Sequence, residues 1–171
     1  MDARRLIIGL LLFAPAAHAQ FNLSTLSLGP QASTVLGDRP QWGVCLGYTR
    51  YLESGFEFYA RAPVLISHVL VGADTSTGEG NVAGTGLTLG ARYLFLEDTW
   101  RPWVGLQLGA SFLITKPEVT WFAGPGVSAG LDWVFDPSFA IGVLGSYDVF
   151  IRLNAPWRHQ FSALINFSVL L

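Results

Sequence analysis

The residues from Phe161 to Leu171 read F-S-A-L-I-N-F-S-V-L-L, and the odd positions, Phe161, Ala163, Ile165, Phe167, Val169 and Leu171, are all apolar. Ser162, Asn166 and Ser168 lie between them. A period of two marks a β-strand whose two faces meet different surroundings, one of them apolar. A protein core or lipid can supply that apolar side. The same pattern recurs along the chain, and the placement of its charges decides between the two.

Three short polar clusters, Glu53-Ser54-Gly55, Glu97-Asp98-Thr99 and Asp136-Pro137-Ser138, separate alternating apolar runs and read as hairpin turns. Longer connections fall between them, at Gly37 to Gln41, Gly72 to Asn81, Thr115 to Ala123 and Arg152 to Arg158. This alternation of long and short predicts eight strands with both chain ends on the short-turn side. They run from Ser24 to Leu36, Trp42 to Leu52, Phe56 to Val71, Val82 to Leu96, Trp100 to Ile114, Gly126 to Phe135, Phe139 to Ile151 and His159 to Leu171. Gly29-Pro30 interrupts the first, which is expected to start earlier or to bend there.

On one face the strands present Val44, Leu46 and Tyr48, then Phe56, Phe58 and Val64, then Leu87, Leu89 and Tyr93, then Val104, Leu106 and Leu108, and so on through Val127, Ile141 and Ile165. These apolar sets hold no charge. The opposite face carries Glu57, Arg61, Arg92, Gln107, Asp132, Asp148 and Asn166, interspersed with Gly43, Gly47, Gly90, Gly105, Gly109, Gly130 and Gly142. Small residues suit a narrow interior. A soluble barrel of lipocalin type would turn its polar face outward, so charges on the crowded, glycine-rich face argue for lipid outside.

Composition agrees: 51% of residues are hydrophobic and 13% are charged, against about 25% charged in ordinary soluble domains. Beyond residue 19 there is no apolar run of the roughly 18 residues that a spanning helix requires. An apolar chain without such a helix can satisfy its backbone in a bilayer by closing a β-barrel. Residues 1–19, with Arg4 and Arg5 ahead of the apolar run Leu6 to Ala14 and with Ala17-His18-Ala19 at the end, read as a secretory signal peptide. Residues 20–171 then form one outer-membrane β-barrel domain. The lone Cys45 excludes an internal disulfide, and it is expected to point inward as a small core residue. A formal net charge of −2 gives no reason to expect a nucleic-acid partner.

Aromatic residues gather near both ends of the strands. Tyr51, Tyr93, Trp100, Trp103, Trp133, Phe135 and Phe139 fall near the short turns, and Trp42, Trp121, Phe122 and Trp157 near the longer connections. Two interfacial girdles are expected from them. Arg92-Tyr93-Leu94-Phe95 before a turn, Trp100-Arg101-Pro102-Trp103-Val104-Gly105 after it, Gly130-Leu131-Asp132-Trp133 before the next, and the last strand together resemble the small eight-stranded outer-membrane barrels of the OmpA, OmpX and OmpW type. The resemblance extends over residues 20–171 and is one of pattern. It implies an all-β, eight-stranded, antiparallel up-and-down transmembrane β-barrel in the outer membrane of a Gram-negative cell, with outer-membrane lipid around it and barrel-insertion machinery as its partner during assembly. The sequence departs from the pattern at Leu171, where those proteins usually carry an aromatic residue.

Five inward charges, Glu57, Arg61, Arg92, Asp132 and Asp148, are the candidate interior network. Buried charges must pair, and an eight-stranded interior is just wide enough for its own side chains. Pairing that holds the barrel shut is therefore expected over gating, and Leu65, Leu94, Leu113, Leu144, Phe150 and Leu164 add to the crowding. A monomer with a structural or interaction role is the expected function. The alternative, implied by the OmpW resemblance, is a porin-like channel or conduit for small hydrophobic molecules. Catalysis is not expected, because His159 and Ser162 fall on opposite faces and His68 has no serine and carboxylate at a telling spacing. No cofactor or metal is expected either, since the acidic segment Gly72 to Asn81 lacks an ordered calcium-ligand spacing. When the full chain is expressed in a bacterium that exports it, mass spectrometry of the membrane fraction should find a first residue of Gln20.

Overall fold

The computed structural model describes residues 24–35, 40–52, 54–66, 83–115, 118–151 and 157–171. They form eight strands: β1 (Ser24–Val35), β2 (Gln41–Tyr51), β3 (Phe56–Ile66), β4 (Ala83–Leu94), β5 (Trp100–Thr115), β6 (Glu118–Asp136), β7 (Phe139–Phe150) and β8 (Arg158–Leu170). Each pairs antiparallel with its sequence neighbour, and β1 pairs with β8, which closes the barrel. The expected residues 1–19, His68 and the segment Gly72 to Asn81 lie outside the described residues.

Seven strands fall within a few residues of their expected positions among the described residues. The exception is β6. The expected long connection from Thr115 to Ala123 is largely strand, because the β5 ladder continues through Phe112↔Trp121 to Thr115↔Glu118. Gly124 and Pro125, which lie between the expected connection and the expected strand, sit inside that ladder opposite Gly109 and Leu108. On its other side, β6 pairs continuously with β7 only from Gly126, so Pro125, which has no N–H to give, lies just outside that ladder. The bend expected in β1 takes a specific form. Its pairing with β8 runs from Thr25↔Leu170 to Leu28↔Phe167 and resumes at Gln31↔Leu164, leaving Gly29 and Pro30 out of the ladder with the register unchanged.

The short turns are built by local chemistry. Ser54 and Gly55 both have positive φ, 56° and 82°, the conformation that tight hairpin turns favour. Gly55 also accepts a hydrogen bond from Leu94 N at 2.8 Å, tying this turn to β4. At the third turn Asp136 Oδ1 accepts from Ser138 N at 2.8 Å, an aspartate turn that reverses the chain between β6 and β7.

The faces follow the alternation. Leu46, Phe58, Leu89, Val104, Leu106, Val127 and Ile165 are exposed on the outside, Leu106 at 71%, whereas Glu57, Gln107, Asp132 and Asp148 are buried inside. Cys45, Leu65, Leu94, Phe150 and Leu164 are buried as expected. One outward charge was missed by the sequence reading: Arg50 continues the outward series after Tyr48 and is exposed at the end of β2. Around the short-turn end the rings of Trp100 and Trp133 stack at 5.5 Å, and contacts continue from Trp133 through Phe135 and Phe139 to Phe167. Trp103 and Phe122 do not join the girdles. They are 2% and 5% exposed and point inward, as their odd-even position demands. This barrel is apolar outside and charged inside, the reverse of one built for water. Leu106→Arg, in the middle of the apolar face, should destabilise the barrel by about 2–4 kcal/mol, read from urea titrations of reversible folding into lipid vesicles.

Candidate functional site

The five interior charges come from inward positions on four strands, β3, β4, β6 and β7, and their meeting is set by register. Glu57 on β3 and Arg92 on β4 are direct cross-strand partners. Arg92 Nε donates to Glu57 Oε2, and Arg92 Nη1 lies 3.0 Å from Asp132 Oδ2 on β6. One guanidinium on β4 thus joins two carboxylates, from β3 and β6, with its Cζ 4.7 Å from the centre of the Trp103 ring. Planar, fork-shaped arginine suits a site that asks for several directed bonds and a stacking face at once. Gly130 makes room for this layer: a Cβ there would lie 2.5 Å from Trp103 Cζ2.

The other two expected members sit in a second layer, and they are joined indirectly. Gln107 on β5 stands between Arg61 on β3 and Asp148 on β7. Its Oε1 accepts from Arg61 Nη2, and its Nε2 donates to Asp148 Oδ1. The amide therefore has its oxygen toward the cation and its nitrogen toward the anion. Tyr59 completes the layer, donating to Gln107 Oε1 at 2.9 Å and lying 3.0 Å from Ser128 Oγ. Arg61 also covers the Tyr59 ring at 4.5 Å. Tyr59 and Trp103 stand 6.5 Å apart and link the two layers.

A third, uncharged cluster lies where β1 meets β8. Gln160 Nε2 donates to Ser33 Oγ and, at 3.2 Å, to Ser162 Oγ, and the two serine hydroxyls are 3.0 Å apart. These polar layers leave two small interior cavities of about 40 Å³ each, room for a few water molecules. Among the described residues, the buried donors Arg61 Nε and Trp103 Nε1 have no partner; Arg61 borders both cavities and Trp103 the first. Donors so placed are normally satisfied by ordered water.

Sequence reasoning found the five charges and placed Gln107 among the inward residues, but it missed Tyr59 and put Trp103 in a girdle. The signal was present for both, since Tyr59 lies between outward Phe58 and Ala60, and Trp103 precedes outward Val104. His159, weighed as a catalytic base, binds Tyr147 on the outward face, Nδ1 to hydroxyl at 2.6 Å. Ser162 is bonded inside to Ser33.

Removing Arg92 alone would leave Glu57 and Asp132 buried without their cation. Arg92→Met should cost about 3–5 kcal/mol of folding stability. Part of that loss should return when Glu57→Gln and Asp132→Asn are added, because no carboxylate is then left without Arg92, while Arg101, which borders the same cavity, keeps its charge. The same urea titrations measure both.

No protein-family model matches the chain, and no curated protein sequence matches it. Solved structures do. Neisserial surface protein A is similar over 86% of this chain and 97% of its own, with a TM-score of 0.67 at 11% identity. The outer membrane protein OprG from Pseudomonas aeruginosa is similar over 87% of this chain and 96% of its own, with a TM-score of 0.61 at 10% identity. The N-terminal β-barrel domain of Pseudomonas aeruginosa OprF reaches 0.54 at 15% identity, over 86% of this chain and 98% of its own. Strand count, closure, inverted polarity and these matches agree: the chain has the fold of the small eight-stranded outer-membrane β-barrels.

Proposed function

We propose that this protein is an integral outer-membrane barrel whose interior is sealed by its own side chains, and that it acts structurally or through interactions at its outer surfaces. The observation that carries this reading is the layer in which Arg92 bridges Glu57 and Asp132 against Trp103. It spans three strands of a barrel that is already narrow, and a second layer through Gln107 lies above it. An open pore would have to break charge pairs that are costly to separate in a low-dielectric interior.

The rival reading, a narrow conduit for small hydrophobic molecules, needs a continuous apolar path through the lumen. Two charged layers cut across that path. We also propose a monomeric, non-catalytic protein without cofactor or nucleic-acid partner, exported on residues 1–19 and placed in the membrane by the barrel-insertion machinery. The engagement of the candidate hydroxyl and imidazole with neighbours on opposite faces supports the non-catalytic part.

Single-channel recording tests the sealed interior. Protein whose folding has been verified by heat-shifted gel mobility should give a silent trace in a planar bilayer. Discrete, reproducible current steps that change size in Arg92→Ala would overturn the reading in favour of a conduit gated by the inward charges.

A further inference from the structure

The outer face is not evenly convex. A furrow of about 740 Å³ crosses β2 to β6, with Ala60 and Ala91 on its floor and Phe58, Leu106 and Leu108 as its walls. Arg50 stands at one end. Among the described residues it is the one arginine or lysine on the outward positions of the strands, and its side chain makes no hydrogen bond or ion pair with another described residue.

The register gives the furrow a direction. Arg50 pairs with Phe58, Ala91 follows from Phe58, and Leu106 from Ala91. Arg50 is one residue from the short-turn end of β2, whereas Leu106 lies six residues into β5 from the same end. At about 3.3 Å per residue and a tilt near 40°, six residues rise about 15 Å. The furrow therefore starts at the interface, beside a cation, and climbs toward the middle of an apolar band about 25 Å tall.

We infer that this furrow is a binding site for one anionic phospholipid of the leaflet on the short-turn side. Its phosphate sits on the Arg50 guanidinium, and one acyl chain lies over Ala60 and Ala91 between Phe58 and Leu106. A guanidinium recognises phosphate through directed, charge-assisted hydrogen bonds. An outward arginine at this depth would otherwise reach to the interface without a carboxylate among the described residues to match its charge. The alanines matter because bulkier side chains would fill the floor. The inference rests on the membrane-barrel fold and is independent of whether the lumen conducts.

Native mass spectrometry of the folded protein, released from mixed phosphatidylglycerol and phosphatidylcholine micelles, tests it. The wild type should retain one phosphatidylglycerol about fivefold more often than phosphatidylcholine, the discrimination expected of one cation near the surface. Arg50→Gln should abolish that preference and Arg50→Lys should keep much of it. Ala91→Leu, which leaves every charge in place but fills the floor, should also reduce retention. Equal retention of the two lipids by the wild type, or an unchanged preference in Arg50→Gln, would overturn the inference. Full retention in Ala91→Leu would overturn the furrow as the seat of the acyl chain. A dimer in the wild-type spectrum that Ala91→Leu dissolves would give the furrow to a second copy instead. Heat-shifted gel mobility of each variant separates loss of the site from loss of the fold.

Discussion

Lipid offers no hydrogen-bond partner, so a chain that crosses it in strands has to return its last edge to its first. Pairing of β1 with β8 meets that demand here, and much else follows from it. Eight strands define a narrow cylinder. The inward positions must then be glycine or must interdigitate, and the polar side chains among them must find each other because water reaches them poorly. Even the composition is a consequence: an apolar outside and a small inside leave few places for charge.

Those few places are used economically. Glu57, Arg92 and Asp132 share one cation between two anions, and Gln107 relays between Arg61 and Asp148. Such layers are not a strong source of stability, since desolvation offsets most of the attraction. Their effect on register is clearer. A slip of one residue in β3 or β4 would turn Arg61 or Arg92 toward hydrocarbon and bring Phe58 or Ala91 into the lumen. The buried charges therefore select one alignment of the strands against its neighbours.

Most of the fold was legible because a period of two is a local signal, and local signals survive without knowledge of strand partners. Where the reading failed, it put another cue ahead of that one. Trp103 and Phe122 were assigned by nearness to strand ends although their parity placed them inside. The expected strand begins only after Gly124-Pro125, yet both residues are in β6: Gly124 lies where the Val149 carbonyl approaches too closely for a Cβ, and Pro125 sits where no donor toward β7 is needed. Arg50 was overlooked because the outward series was ended at Tyr48. The insertion of Gln107 between Arg61 and Asp148 was beyond local reading altogether. These residues belong to β5, β3 and β7, and their heights in the lumen depend on the registers of every hairpin between them.

The two residues left out of the β1 to β8 ladder, Gly29 and Pro30, have a consequence for how the ring comes together. Seven of the joints link strands adjacent in sequence, and each can form soon after its hairpin turns. The eighth brings together Thr25 and Leu170, nearly the whole length of the chain apart, at the largest loss of chain entropy. It is also interrupted partway along. The clasp of this ring is thus the joint that costs most to bring together, and its ladder, like that of β3 and β4 at Ala62 and Pro63, is broken, which makes it the natural last step of closure.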